Sequence, residues 1–82
     1  MKHNTDENTY KTTDLAIAAA ASLFFPIESV EKIATQRVSF VFRQTKSFSE
    51  FIDSYLRGEI RIEPQQYFNQ LKVVKTRIYS SL

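Results

Sequence analysis

The chain predicts an α+β fold, in the order α-β-β-α-(β)-α, with one short antiparallel sheet packed against three helices. Three observations carry that expectation. Residues 37–44 read Arg-Val-Ser-Phe-Val-Phe-Arg-Gln, so Val38, Phe40 and Phe42 alternate with Arg37, Ser39, Val41 and Arg43. That is the period-two pattern of a strand with one face on a core, built from residue types that suit a pleated surface. Ser47-Phe48-Ser49-Glu50 has the form of a capping box ahead of apolar residues at helical spacing. Alanine at 16, 18, 19, 20 and 21 makes a third region strongly helical.

Taken in order, residues 1–9 are polar and without periodicity, which predicts a disordered tail; residues 10–82 form a single domain. The only histidine, His3, lies in that tail without partners for a metal or a catalytic role. A helix should begin at Thr12 or Thr13, whose hydroxyl can accept from the first free amides, with Asp14 complementing the positive helix end. Pro26 ends it. This helix is apolar nearly all round, which predicts burial nearly all round, either at the centre of the fold or against a second subunit.

Residues 27–33 precede the strong strand and are expected to pair with it. The turn Ala34-Thr35-Gln36 has no Gly, Asn or Asp, which argues against a favoured two-residue hairpin turn. In the second helix Phe48, Phe51, Ile52, Tyr55 and Leu56 make one apolar face, and Gly58 supplies the left-handed residue that closes it. Residues 59–63 alternate and suggest a short third strand. Pro64 suits the first position of a third helix, with Glu63 as a weak cap. That helix should run over 64–79, with Tyr67, Phe68, Leu71, Val74 and Ile78 toward the core.

The composition excludes several kinds of chemistry. There is no cysteine, so neither disulfides nor thiolate metal sites are available. Nucleophile–histidine catalysis lacks its base, zinc lacks clustered Cys or His, and a phosphate-cradling loop lacks glycines, because Gly58 stands alone. Glu59 and Glu63 could in principle serve acid–base chemistry or magnesium, but their positions suit solvated charges. The expectation is therefore a non-enzymatic protein with no cofactor and no metal. The longest apolar run, residues 15–25, is shorter than the roughly 20 residues that span a bilayer, and the start lacks a leader's apolar stretch. A cytoplasmic, soluble protein without a membrane partner is expected.

Charge is unevenly spread. Residues 1–31 hold two lysines against five carboxylates, a net −3, and residues 32–82 hold nine basic side chains against four acidic, a net +5. A basic half of this kind suits a polyanion or the acidic half of a second copy.

Several stretches resemble a known family: Tyr10-Lys11-Thr12-Thr13-Asp14-Leu15-Ala16-Ile17-Ala18-Ala19, then Arg37-Val38-Ser39-Phe40-Val41-Phe42, Tyr55-Leu56-Arg57-Gly58, Tyr67-Phe68-Asn69-Gln70-Leu71-Lys72 and Arg77-Ile78-Tyr79. In this order they are similar to a small family of prokaryotic and mobile-element proteins described only as a domain of unknown function. The resemblance implies a shared fold and a mobile-element setting, and it brings no activity, cofactor or site.

One surface stands out. The outer face of the third helix gathers Gln66, Asn69, Gln70, Lys72, Val73, Thr76 and Arg77. Amides can bond base edges, lysine and arginine can meet phosphates, and a valine can touch a thymine methyl. Two functions follow as expectations. The first is binding of DNA or RNA through this face. The second is a protein-interaction module, an inhibitor or adaptor acting through a homodimer, which the apolar first helix and the exposed edges of a small sheet favour.

Overall fold

The computed structural model describes residues 8–82. It contains β1 (Thr9–Thr12), α1 (Leu15–Ser22), β2 (Ser29–Ala34), β3 (Arg37–Arg43), α2 (Lys46–Leu56) and α3 (Pro64–Ser81). The three strands form one antiparallel sheet in the order β1-β3-β2, and the helices cover one of its faces. The α+β class is as the sequence predicts, but its third strand is elsewhere.

β3 is central because it alone can be sheltered on both sides. Val38, Phe40 and Phe42 enter the core, and Ser39 and Val41 on the opposite face are buried as well. The second burial needs no further layer of structure. β1 and β2 flank β3, and Lys11 of β1 meets Glu31 of β2 at 3.3 Å, on the face where Lys11 and Ser29 both pair with Val41.

The expected third strand at 59–63 does not form. The sheet's third strand is instead Thr9–Thr12, where Tyr10 lies opposite Phe42. The alternation of Ile60 and Ile62 instead turns both side chains toward a hollow between α2 and α3. The strand also displaces two N-terminal expectations. Thr9 pairs with Arg43 and the Asn8 carbonyl accepts from Gln44 N–H, so neither belongs to a tail; the remainder of that predicted tail, with His3, lies outside the described residues. Helix α1 starts at Leu15, not at Thr12 or Thr13, because Thr12 is extended and Asp14 is the cap, its carboxylate accepting from Ala16 and Ile17 N–H.

Burial explains the composition of α1. Ala18, Ala19, Ala20 and Ala21 are all essentially inaccessible, so the all-round apolar helix is the centre of the fold. Its end is tightened by bonds from Leu23 N–H to Ala20 and from Phe24 and Phe25 N–H to Ala21, just ahead of Pro26.

The hairpin between β2 and β3 closes in two residues, Thr35 and Gln36, with Ala34 opposite Arg37. Gln36 has φ 63° and is the only non-glycine with positive φ among the described residues. The turn is thus neither of the favoured primed types, which need positive φ at the first central residue. A bulge at Ile33 restores the register.

Helix α2 is capped two residues earlier than its capping-box motif suggests: Thr45 Oγ1 accepts from Phe48 N–H at 3.1 Å. Ser49 Oγ accepts from the Gln44 side-chain amide, and the Ser47–Glu50 box is not used. Phe48 is the hub of the aromatic core. Its ring centroid lies 5.2 Å from Tyr10, 5.1 Å from Phe25 and 5.2 Å from Phe42, distances at which such pairs add roughly 0.5–1.5 kcal/mol beyond their buried area. Leu56, expected on the same face, is exposed because the helix ends there. Gly58 closes it at φ 74°. Val74 of α3 completes the core.

Candidate nucleic-acid interface

Eighteen residues of α3 carry Lys72, Lys75 and Arg77 and not one carboxylate. Glu63, just before the helix, is committed to its end, with both carboxylate oxygens accepting from Gln65 and Gln66 N–H at 3.2 and 2.8 Å. The cap that looked weak in sequence is therefore formed, and it neutralises the helix dipole at the end away from the cations.

The predicted face spans about 160° of the helix at 100° per residue. Gln66, Asn69, Lys72, Val73, Thr76 and Arg77 are exposed on it. Gln70 stands at its margin, half-buried, and its side-chain amide donates to Ser22 Oγ at 2.8 Å, tying α3 to α1. Thr76 donates its hydroxyl to the Lys72 carbonyl of its own helix. Val73 is half exposed, opposite the core stripe.

A neighbouring stripe escaped the sequence reading. Phe68, assigned to the core there, is 55% exposed, and Tyr79 is 76% exposed. Phe68, Lys72, Lys75 and Tyr79 fall within about 60° of one another around α3. The core stripe of Tyr67, Leu71, Val74 and Ile78 already has the i, i+4, i+7, i+11 spacing of one helix side. Phe68 lies outside that completed set, a signal available in the sequence. Lys72 Nζ sits 4.7 Å from the Phe68 ring centroid, a cation–π contact. Phe40, Phe42 and Phe48 are buried and Phe51 and Tyr67 pack against them, whereas Phe24, 56% exposed beyond the end of α1, lies 5.4 Å from the Phe51 ring.

Beyond Tyr79, a hollow of about 340 Å³ lies between the C-terminal end of α3, the start of α1 and the hairpin turn. It is lined by Leu15, Gln36, Lys75, Ile78, Tyr79 and Leu82. A second hollow, of about 420 Å³, lies between α2 and α3. Tyr55, Ile60, Ile62 and Tyr67 line most of it, and the Tyr67 hydroxyl donates to the Ala16 carbonyl at 3.4 Å. Burial, then Asp14, then Tyr67 push the Tyr55 phenol above its ordinary range.

The carboxylates considered for acid–base chemistry do not converge. Glu59 pairs with Arg57 at 3.2 Å, Glu63 caps α3, and Arg61 donates to the carbonyls of Gly58 and Ile60. Among the described residues no group of three or more His, Cys, Asp or Glu side chains is placed to hold a metal ion, and no helix is long and apolar enough to cross a membrane.

These features define a small two-layer α+β domain whose longest helix presents a cationic, carboxylate-free outer side. The chain belongs to the family described as a domain of unknown function (DUF5659), whose model matches residues 7–80. No curated protein and no solved structure matches the chain.

Proposed function

We propose that this protein is a non-enzymatic accessory protein that binds nucleic acid through the exposed side of α3, in the cytoplasm. The observation that carries this reading is the charge of that helix: three cations and no carboxylate, with the exposed amides of Gln66 and Asn69 in the turns just before them. The amides and cations supply base-edge and phosphate contacts together. The expected behaviour is binding that weakens steeply with salt. Fluorescence anisotropy with labelled oligonucleotides measures it. Lys72→Ala combined with Arg77→Ala should lower affinity at least tenfold at low salt. It should also make the plot of log K against log salt shallower by about 1.5, since each lost phosphate contact removes 0.7–0.9 of slope. Salt-independent binding, or no binding at low salt, rejects the reading.

A protein-interaction module acting as a homodimer is the second reading, and the sheet supports it. β1 and β2 each lie at a margin of the described sheet, where a further strand can add. Sedimentation equilibrium at micromolar concentration tests it: a dimer supports it, and a monomer removes it.

A further inference from the structure

Resting on the nucleic-acid reading, we infer that the ligand is single-stranded, with bases stacked on Phe68 and Tyr79 and one base seated in the hollow beside Tyr79. Three separate features lead there. Two aromatic rings stand exposed on one stripe of α3, eleven residues and therefore about 16 Å apart along the helix. Each has a lysine close to it in the helix, Lys72 above the Phe68 ring and Lys75 beside Tyr79 at the hollow. The hollow itself combines an aromatic wall, an amine, a side-chain amide and apolar flooring from Leu15 and Ile78.

Each element has a place in the binding of an unpaired nucleotide. A duplex keeps the faces of its bases stacked on one another, so exposed rings have nothing to stack on there. A single strand offers those faces, and aromatic stacking is then worth roughly five- to a hundredfold in affinity per base. At Phe68 the ammonium of Lys72 already occupies the ring's field. On binding, the ring takes the base and the ammonium moves to the phosphate beside it. At Tyr79 the base enters the hollow, Lys75 meets its phosphate, and the Gln36 amide bonds its polar edge. Gln36 is held at the tip of the hairpin in a backbone conformation that costs a non-glycine residue energy. Lys32 adds charge on the same side: it pairs with Val38, which puts it on the helix-covered face of β2, the strand α3 packs against.

The test compares a labelled oligo-dT 20-mer with its oligo-dA duplex by anisotropy, for the full chain, for Lys72→Ala plus Arg77→Ala, and for two further variants. Phe68→Leu with Tyr79→Leu keeps apolar side chains at exposed positions and removes both rings. Gln36→Gly removes the amide and suits the positive φ, so a loss of binding there does not come from a damaged fold; circular dichroism and thermal melting check both. The single strand should bind at least tenfold tighter than the duplex. The ring variant should lose about twentyfold or more for the single strand with its salt slope unchanged, and Gln36→Gly about threefold or more. Equal affinity for strand and duplex, with the ring variant unaffected but Lys72→Ala plus Arg77→Ala weakened, overturns the stacking inference and leaves nucleic-acid binding standing. Failure of both probes to bind at low salt overturns both.

Discussion

Helices α1 and α3 face each other across the same core and are built on opposite plans. Four consecutive residues of α1 are sealed from solvent, each of them alanine. Only Val74 among the eighteen residues of α3 is fully buried, and Phe68, Val73 and Tyr79 stand half exposed or more. The short helix carries only methyl groups over its sealed stretch, with Leu15 and Ile17 at its start packed against the core. The long one uses one side for the core and leaves large, chemically distinct side chains outside. The contrast separates the part of the molecule that forms its core from the part that leaves side chains in solvent.

The sharpest way to break the contrast is to make the same change on each side of it. Phe42→Ala removes a ring at the centre of the aromatic cluster and should cost about 3–5 kcal/mol, most of the stability that a domain this small holds. Phe68→Ala should stay within about 0.5 kcal/mol of the parent, as surface changes do. Urea denaturation followed by circular dichroism measures both, and a costly Phe68→Ala would return that ring to the core.

A smaller effect sharpens the boundary of α2. Thr45→Ala should cost about 1 kcal/mol through loss of the cap, whereas Ser47→Ala should change the urea midpoint little. The reverse order would reinstate the Ser47–Glu50 box. The smallest effect is a dependence on pH. The fold favours neutral phenols at Tyr55 and Tyr10, in each case chiefly through burial and then through the charge of Asp14. Unfolded tyrosine ionises near its ordinary value of about 10. The contribution is therefore complete below that pH and is lost as pH rises through the higher folded values. Urea midpoints measured between about pH 8 and 11 should fall toward the alkaline end, and Tyr55→Phe with Tyr10→Phe should flatten the fall.

How much could be read in advance varied with the physics of each segment. The Phe-rich strand, the buried alanine helix, Pro26, Gly58 and the proline-started third helix were all legible, because burial period and backbone chemistry act locally there. Strand β1 was not. Thr-Tyr-Lys-Thr has no clean alternation of its own, and it becomes a strand because β3 offers a free edge and Tyr10 finds Phe48 and Phe42. The segment at 59–63 misled for the converse reason: Ile60 and Ile62 alternate to reach the hollow between α2 and α3, not to join the sheet. On α3 the amide-rich and basic positions were legible from spacing. Phe68 was misplaced because an aromatic beside Tyr67 looks like core, although the spacing of Tyr67, Leu71, Val74 and Ile78 already completes that stripe without it. Gln36 and Lys75 come together only when the hairpin tip meets the far end of α3, which no local pattern records.

The methyl groups of α1 have one last consequence. Side chains that small let a neighbouring helix settle close to the backbone, so the thickness of a methyl gauges how far α3 stands from the middle of the molecule. Ser22, one residue past the last of them, pins that spacing by holding Gln70. A larger residue at Ala19 would act as a shim. It would lift α3 away from the hairpin tip and open the gap between Tyr79 and Gln36, so that a change at a sealed position would be felt at an exposed one.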